Sequence, residues 1–110
     1  GRERDKAAEA MLEASQYLDD GKLILRAAQL NVQNSHYQQA LDNARKAIKK
    51  GLDDAGKGRA LLLAGHAAVE LRKLAEARRY FQQALTLSDS AGNAKSWLEY
   101  ISAMEEYPEA

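Results

Sequence analysis

The sequence predicts an all-α protein, built as an array of antiparallel helix-turn-helix units and closed by a C-terminal helix. Three observations predict it. Composition favours helix throughout, because the 110 residues include one proline and are rich in Ala, Leu, Gln, Lys and Glu. The stretch from Ala60 to Ser88 sets small and apolar residues on helical faces, with Ala77, Phe81, Ala84 and Leu85 at steps of four, three and one. The same pattern occurs once before, 37 positions upstream.

The bulk numbers fit that class. A chain of 110 residues, 45% hydrophobic and 29% charged, suits one folded domain with a modest core. Zero cysteines exclude disulfides and thiolate metal sites. No run approaches the roughly 18 apolar residues of a membrane span. The opening Gly1-Arg2-Glu3-Arg4-Asp5-Lys6 is charged and no apolar run follows, so it does not read as a signal peptide. With no initiating Met, the chain is expected to be part of a longer protein. Net charge is zero but unevenly spread: −3 over residues 1–20, +7 over 21–85 and −4 over 86–110. A basic middle between acidic ends reads first as a solvated pattern and second as an anion-binding hint.

Taken in order, residues from Asp5 to Leu18 read as an Ala-rich helix with Ala7, Met11, Ala14 and Leu18 on one face. Asp19-Asp20-Gly21 interrupts it and offers a capping carboxylate to the next helix. That helix runs from Lys22 to about Val32, with Leu23, Ile24, Ala27, Ala28 and Leu30 apolar. Asn34-Ser35-His36 is a polar break. A third helix from Tyr37 to Lys50 carries Tyr37, Ala40, Leu41, Ala44, Ala47 and Ile48 on one face, with Gly51 as its C-cap. Gly51 to Gly58 reads as a loop. Gly65 stands inside the following helix, where glycine costs about 1 kcal/mol against alanine, so close approach of a partner helix is expected there. Ser88-Asp89-Ser90 reads as a helix end and turn. Lys95 to Glu106 reads as the closing helix, with a polar outer face.

The two central units match position for position. Ile24-x2-Ala27-Ala28-x2-Asn31 followed by Ala40-x3-Ala44-x2-Ala47 corresponds to Leu61-x2-Ala64-Gly65-x2-Ala68 followed by Ala77-x3-Phe81-x2-Ala84. Ala28 to Ala40 and Gly65 to Ala77 are both 12 residues apart, and Tyr37 matches Leu74. This resembles the tetratricopeptide repeat, whose pattern is W-x2-L-G-x2-Y, then A-x3-F, then P. Leu61, Ala68 and Asp89 depart from its aromatic, tyrosine and proline. The offset is 37 rather than the usual 34, and the extra three residues are assigned to the loop at 51–58. A third beginning, Trp97-x2-Tyr100-Ile101-x2-Met104, has no second helix after it. The resemblance implies one right-handed solenoid domain over 1–110. Residues 5–20 would be the second helix of an incomplete repeat, 21–54 and 58–91 two repeats, and 94–107 the closing helix. These would be the C-terminal repeats of a longer array.

Nothing in the chain predicts an enzyme or a cofactor. His36 and His66 lie in a turn and a first helix, and with no cysteine the further ligands of a zinc site would be scattered carboxylates. Asp53-Asp54 and Glu105-Glu106 are adjacent pairs that point apart on a helix, and no glycine-rich loop follows a strand. Arg45, Lys46, Lys49, Lys50, Arg72, Lys73, Arg78 and Arg79 fall on second helices or turns. They read as a solvated outer face, with anion or nucleic-acid binding as the alternative; nucleic acid is not the expected partner, because aromatic residues are few.

Another protein or peptide is the expected partner. By resemblance, first helices line a concave groove, which assigns partner contact to Lys22, Leu25, Arg26, Gln29 and Gln33, and to Arg59, Leu62, His66 and Glu70. Lys95 would extend that wall on the closing helix. The family's carboxylate clamp is absent, since its places hold Leu25, Gln29, Leu63 and Glu99, and only Lys95 agrees. The function expected is a non-catalytic interaction scaffold, or alternatively a docking module of a larger enzyme. Self-association through the unpaired first helix is a further expectation.

Overall fold

The computed structural model describes residues 1–14 and 20–107. Among the described residues six helices follow one another: α1 (Arg2–Ala14), α2 (Lys22–Gln33), α3 (Tyr37–Lys50), α4 (Asp54–Glu70), α5 (Leu74–Ala84) and α6 (Ser88–Glu106). No strand occurs among the described residues. None of the described helices is long and apolar enough to cross a membrane. Each helix packs on the next, and α4 also touches both α2 and α6. α3 and α5 make no comparable backbone approach. The smallest Cα extent, 17 Å, accommodates two helix layers at the usual 8–10 Å spacing.

Small residues set these approaches. Ala27, Ala28, Ala40, Ala44, Ala47, Ala60, Ala64, Ala67, Ala68, Ala77 and Ala84 are all completely buried. At Gly65 a Cβ would stand 2.5 Å from the Phe81 ring. That ring cannot retreat: it is itself fully buried and stacks on Trp97 at 5.2 Å and 7°. At Gly58 a Cβ would lie 2.8 Å from Ser90 Oγ, which seals α4 against α6. Ser90 is 2% exposed, and its hydroxyl donates to the Ala84 carbonyl at 2.7 Å.

The two central turns repeat at the level of the backbone. Ser35 and Arg72, 37 positions apart, have φ of 61° and 62°. The next residue in each turn reaches back five positions, His36 N–H to Asn31 and Lys73 N–H to Ala68, both at 2.8 Å. The left-handed residue's own N–H reaches back three, Ser35 to Val32 at 2.9 Å and Arg72 to Val69 at 3.0 Å. Together these are the Schellman pattern that satisfies helix-terminal carbonyls.

Several boundaries differ from the sequence expectation. Residues 54–58 are the first turns of α4 rather than loop. Asp53 caps it, with its side chain accepting from Gly56 N–H at 2.8 Å. Ser88 to Ser90 open α6 rather than form a turn, which places the start of the closing helix seven residues before Lys95. The boundaries 54/58 and 91/94 therefore cut through α4 and α6. In α1 the buried residue is Ala8, with Ala7, Met11 and Leu12 half-buried and Ala10 and Ala14 exposed. Leu18 and Asp19 lie outside the described residues, whereas the Asp20 carboxylate accepts from Lys22 N–H at 3.0 Å.

Gly65→Leu should lower stability by roughly 1–3 kcal/mol or more, because an overpacked core has nowhere to move. Gly92→Ala is the contrast: nothing lies within 4 Å of a Cβ there, and alanine inside α6 should add about 0.5–1 kcal/mol. Urea unfolding followed by circular dichroism reads both, and a Gly65→Leu midpoint at the wild-type value would contradict the helix pairing.

Candidate functional site

The two first helices carry matching stripes. Lys22, Arg26, Gln29 and Gln33 recur at four, three and four positions on α2, and Arg59, Leu63, His66 and Glu70 do the same on α4. Where the N-terminal halves of α2 and α4 meet, a recess of about 300 Å³ brings together Lys22, Leu25, Arg26, Gln29 and Arg59. Its remaining wall is Leu52, Asp53 and the first turn of α4. Five of the residues assigned from sequence are thus gathered in one place.

Leu25 is not an exposed wall residue. It is 5% exposed and belongs to the cluster of Ile24, Ala47 and Ala60, so it is the floor. Lys22, Arg26 and Arg59 are exposed. None of them enters an ion pair among the described residues. Lys22 moreover opens α2, whose first turn holds no acidic residue. A cation there opposes the helix dipole by about 0.3–1 kcal/mol, so local stability does not explain it. The acid in the recess, Asp53, already spends one oxygen on the α4 cap.

The other assigned residues go elsewhere. Gln33 is exposed at the far end of α2. Leu62 is half-buried against the α4–α6 core rather than in the recess. His66 sits between the Tyr37 ring at 5.9 Å and the Trp97 ring at 5.0 Å, with Glu70 Oε1 at 3.7 Å. Glu70 lines a second recess of about 320 Å³ with Trp97 and Tyr100. Lys95 belongs to a third, formed by α6 alone with Leu98, Glu99 and Ser102. Trp97 faces Phe81, and Lys95, two residues earlier, is about 200° away round the helix, pointing away from α5. The closing helix therefore does not carry Lys95 into the α2/α4 recess.

Arg45, Lys73 and Arg78, on the second helices or their turns, make structural contacts. Arg45 Nε donates to the Tyr80 hydroxyl at 2.6 Å and Nη2 to Glu76 at 2.9 Å, linking α3 to α5. The Tyr80 hydrogen bond first, and the nearby Glu76 carboxylate after it, hold the guanidinium pKa above its ordinary value. Lys73 donates to Gln38 at 3.3 Å, and Arg78 pairs with Glu105 of α6. Long side chains thus span the gap between α3 and α5 that the backbones leave open.

One polar feature was missed in the sequence. Asn31 and Asn43 are 4% and 6% exposed, and Asn43 Nδ2 donates to Asn31 Oδ1 at 2.7 Å, joining α2 to α3. Asn31 stood at the tyrosine position of the repeat, which hints at a special contact, but Asn43 carried no signal. Among the described residues no group of three or more His, Asp or Glu is placed to hold a metal ion.

Removing one partner from a buried amide pair strands the other. Asn43→Leu should cost about 1–3 kcal/mol, and Asn31→Leu/Asn43→Leu less than the single change. A double-mutant cycle by chemical denaturation checks this; additive losses would show that the two amides do not support each other.

Compared with protein-family models, with curated proteins and with solved structures, the chain matches none of them. The chemistry of the site rests on its own residues.

Proposed function

We propose that this chain is a non-catalytic protein-interaction scaffold, a tetratricopeptide-like array whose α2/α4 surface holds an acidic segment of a partner. The observation that carries the reading is the grouping of Lys22, Arg26 and Arg59 round one recess with no ion-pair partner among the described residues. Arg26 and Arg59 present planar donor forks that suit carboxylates, and Gln29 can meet a peptide backbone with both donor and acceptor. Leu25 and Leu52 give an apolar floor for a neighbouring side chain.

The curvature that such a surface needs also has support. α2, α4 and α6 approach through alanine and glycine, whereas α3 and α5 are bridged only by side chains such as Arg45 and Lys73. Rows spaced more tightly on one side curve toward that side, which supports the α2/α4 face as the concave one.

Magnitudes set the division of labour. An exposed ion pair contributes about 0.2–1 kcal/mol, so three fall well short of the roughly 8 kcal/mol of a micromolar complex. Apolar burial must supply most of the affinity, while the cations steer approach and select acidic partners.

Affinity capture from a lysate with the wild type and with Arg26→Glu/Arg59→Glu, at two salt concentrations, tests the reading. A discrete protein retained by the wild type and lost with the double variant is expected. Material held equally by both and released by nuclease would move the site to the basic second helices and overturn the proposal.

A further inference from the structure

A separate recess of about 350 Å³ opens between α1, α2 and α3. α2 contributes Asn31 to it, two residues beyond Gln29 and so about 200° round the helix from the α2/α4 surface. Its floor is the buried Asn31–Asn43 pair. That pair uses Asn31 Oδ1 and one proton of Asn43 Nδ2. The Asn31 amino group and the Asn43 carbonyl oxygen have no hydrogen-bond partner among the described residues. Neither is a buried atom stranded without a partner, so both reach solvent at the recess, where a ligand offering one acceptor and one donor can meet them.

The walls are of both signs. Glu9 of α1 and Asp42 of α3 are exposed carboxylates at the recess, and Lys46 faces it from α3. Asp5 is already held, by His36 Nδ1 at 3.2 Å and Asn34 Nδ2 at 2.8 Å. Glu9 stands four residues after Asp5 on α1 and has no partner among the described residues. Like charges at that spacing cost a helix about 0.2–0.5 kcal/mol, which a cation beside Glu9 would relieve. Ala8 adds a small apolar wall.

We propose that this recess binds an α-ammonium group together with its neighbouring amide, the chemistry shared by amino-acid amides and free peptide N-termini. The ammonium group lies toward Glu9 and Asp42. The ligand's carbonyl accepts from Asn31 and Lys46, and its amide N–H donates to Asn43 Oδ1. A simple alkylammonium ion would leave Lys46 opposed and the Asn31 amino group without an acceptor. A free amino acid would bring its carboxylate beside two others.

Leucinamide titrated into the whole chain, followed by NMR of the Asn31 and Asn43 side-chain amides, tests the assignment. Saturable shifts of both amides are expected, with an affinity about tenfold above that of isoamylammonium and of N-acetylleucinamide, the 1.4 kcal/mol of one good polar contact. Glu9→Gln, an exposed change, should weaken leucinamide about as much while circular dichroism and melting stay at wild type. A Leu-Ala-Ala tripeptide that matches leucinamide assigns peptide N-termini, and one that binds more weakly assigns free amides. Absence of saturable shifts, or equal binding of isoamylammonium, would overturn the proposal.

Discussion

The Phe81 ring occupies the volume that the missing side chain of Gly65 leaves open, and the rest of the arrangement depends on that contact. Trp97 closes the ring from the other element at 5.2 Å, so one aromatic group joins α4, α5 and α6. Stacked aromatic pairs add about 0.5–1.5 kcal/mol beyond area burial, but the geometric consequence matters more. With α5 drawn against α4 at Gly65, the small face of α4 that holds Ala60, Ala64 and Ala67 is free to take α2 and α3. A helix with bulky residues all round would have one such neighbour, whereas α4 has four.

From that packing follows a division among the cations. Arg45 of α3 is tied across the gap to Tyr80 and Glu76, Lys73 at the start of α5 to Gln38, and Arg78 of α5 to Glu105 of α6. Those on the stripes of α2 and α4 meet at a recess with no opposing carboxylate except the capping Asp53. The same residue types therefore link helices at those places and are left available at the α2/α4 recess. Position in the fold decides the role of each arginine, not its identity.

Local pattern was legible where packing and propensity agree. The bounds of α3, its face of Ala40, Leu41, Ala44 and Ala47, and the matched turns at Ser35 and Arg72 all follow from period and spacing. Gly56 and Gly58 misled because glycine marks loops in an isolated reading. Gly58 sits inside α4 for the sake of Ser90, 32 residues later, a relation that no local window holds. Ser90 likewise read as a turn residue, although its hydroxyl satisfies a carbonyl six positions back and lets α6 begin. Within the candidate site, Lys22, Arg26, Gln29 and Arg59 were assigned by resemblance to the repeat, and the structure brings them to one recess. The burial of Leu25 depends on Ala47 and Ala60 arriving from two other helices, and the aim of Lys95 depends on the rotation of α6, so neither could be read from spacing.

The contact at Gly65 is open to direct observation. Nuclear Overhauser spectroscopy of the folded chain should show cross-peaks from the Gly65 Hα protons to the Phe81 ring, with at least one of those protons shifted strongly upfield by the ring current. Cross-peaks from the same ring to the Trp97 indole complete the expected result. Gly65 Hα protons at ordinary shifts, with no cross-peak to Phe81, would contradict the packing on which the layered arrangement and its cationic recess both rest.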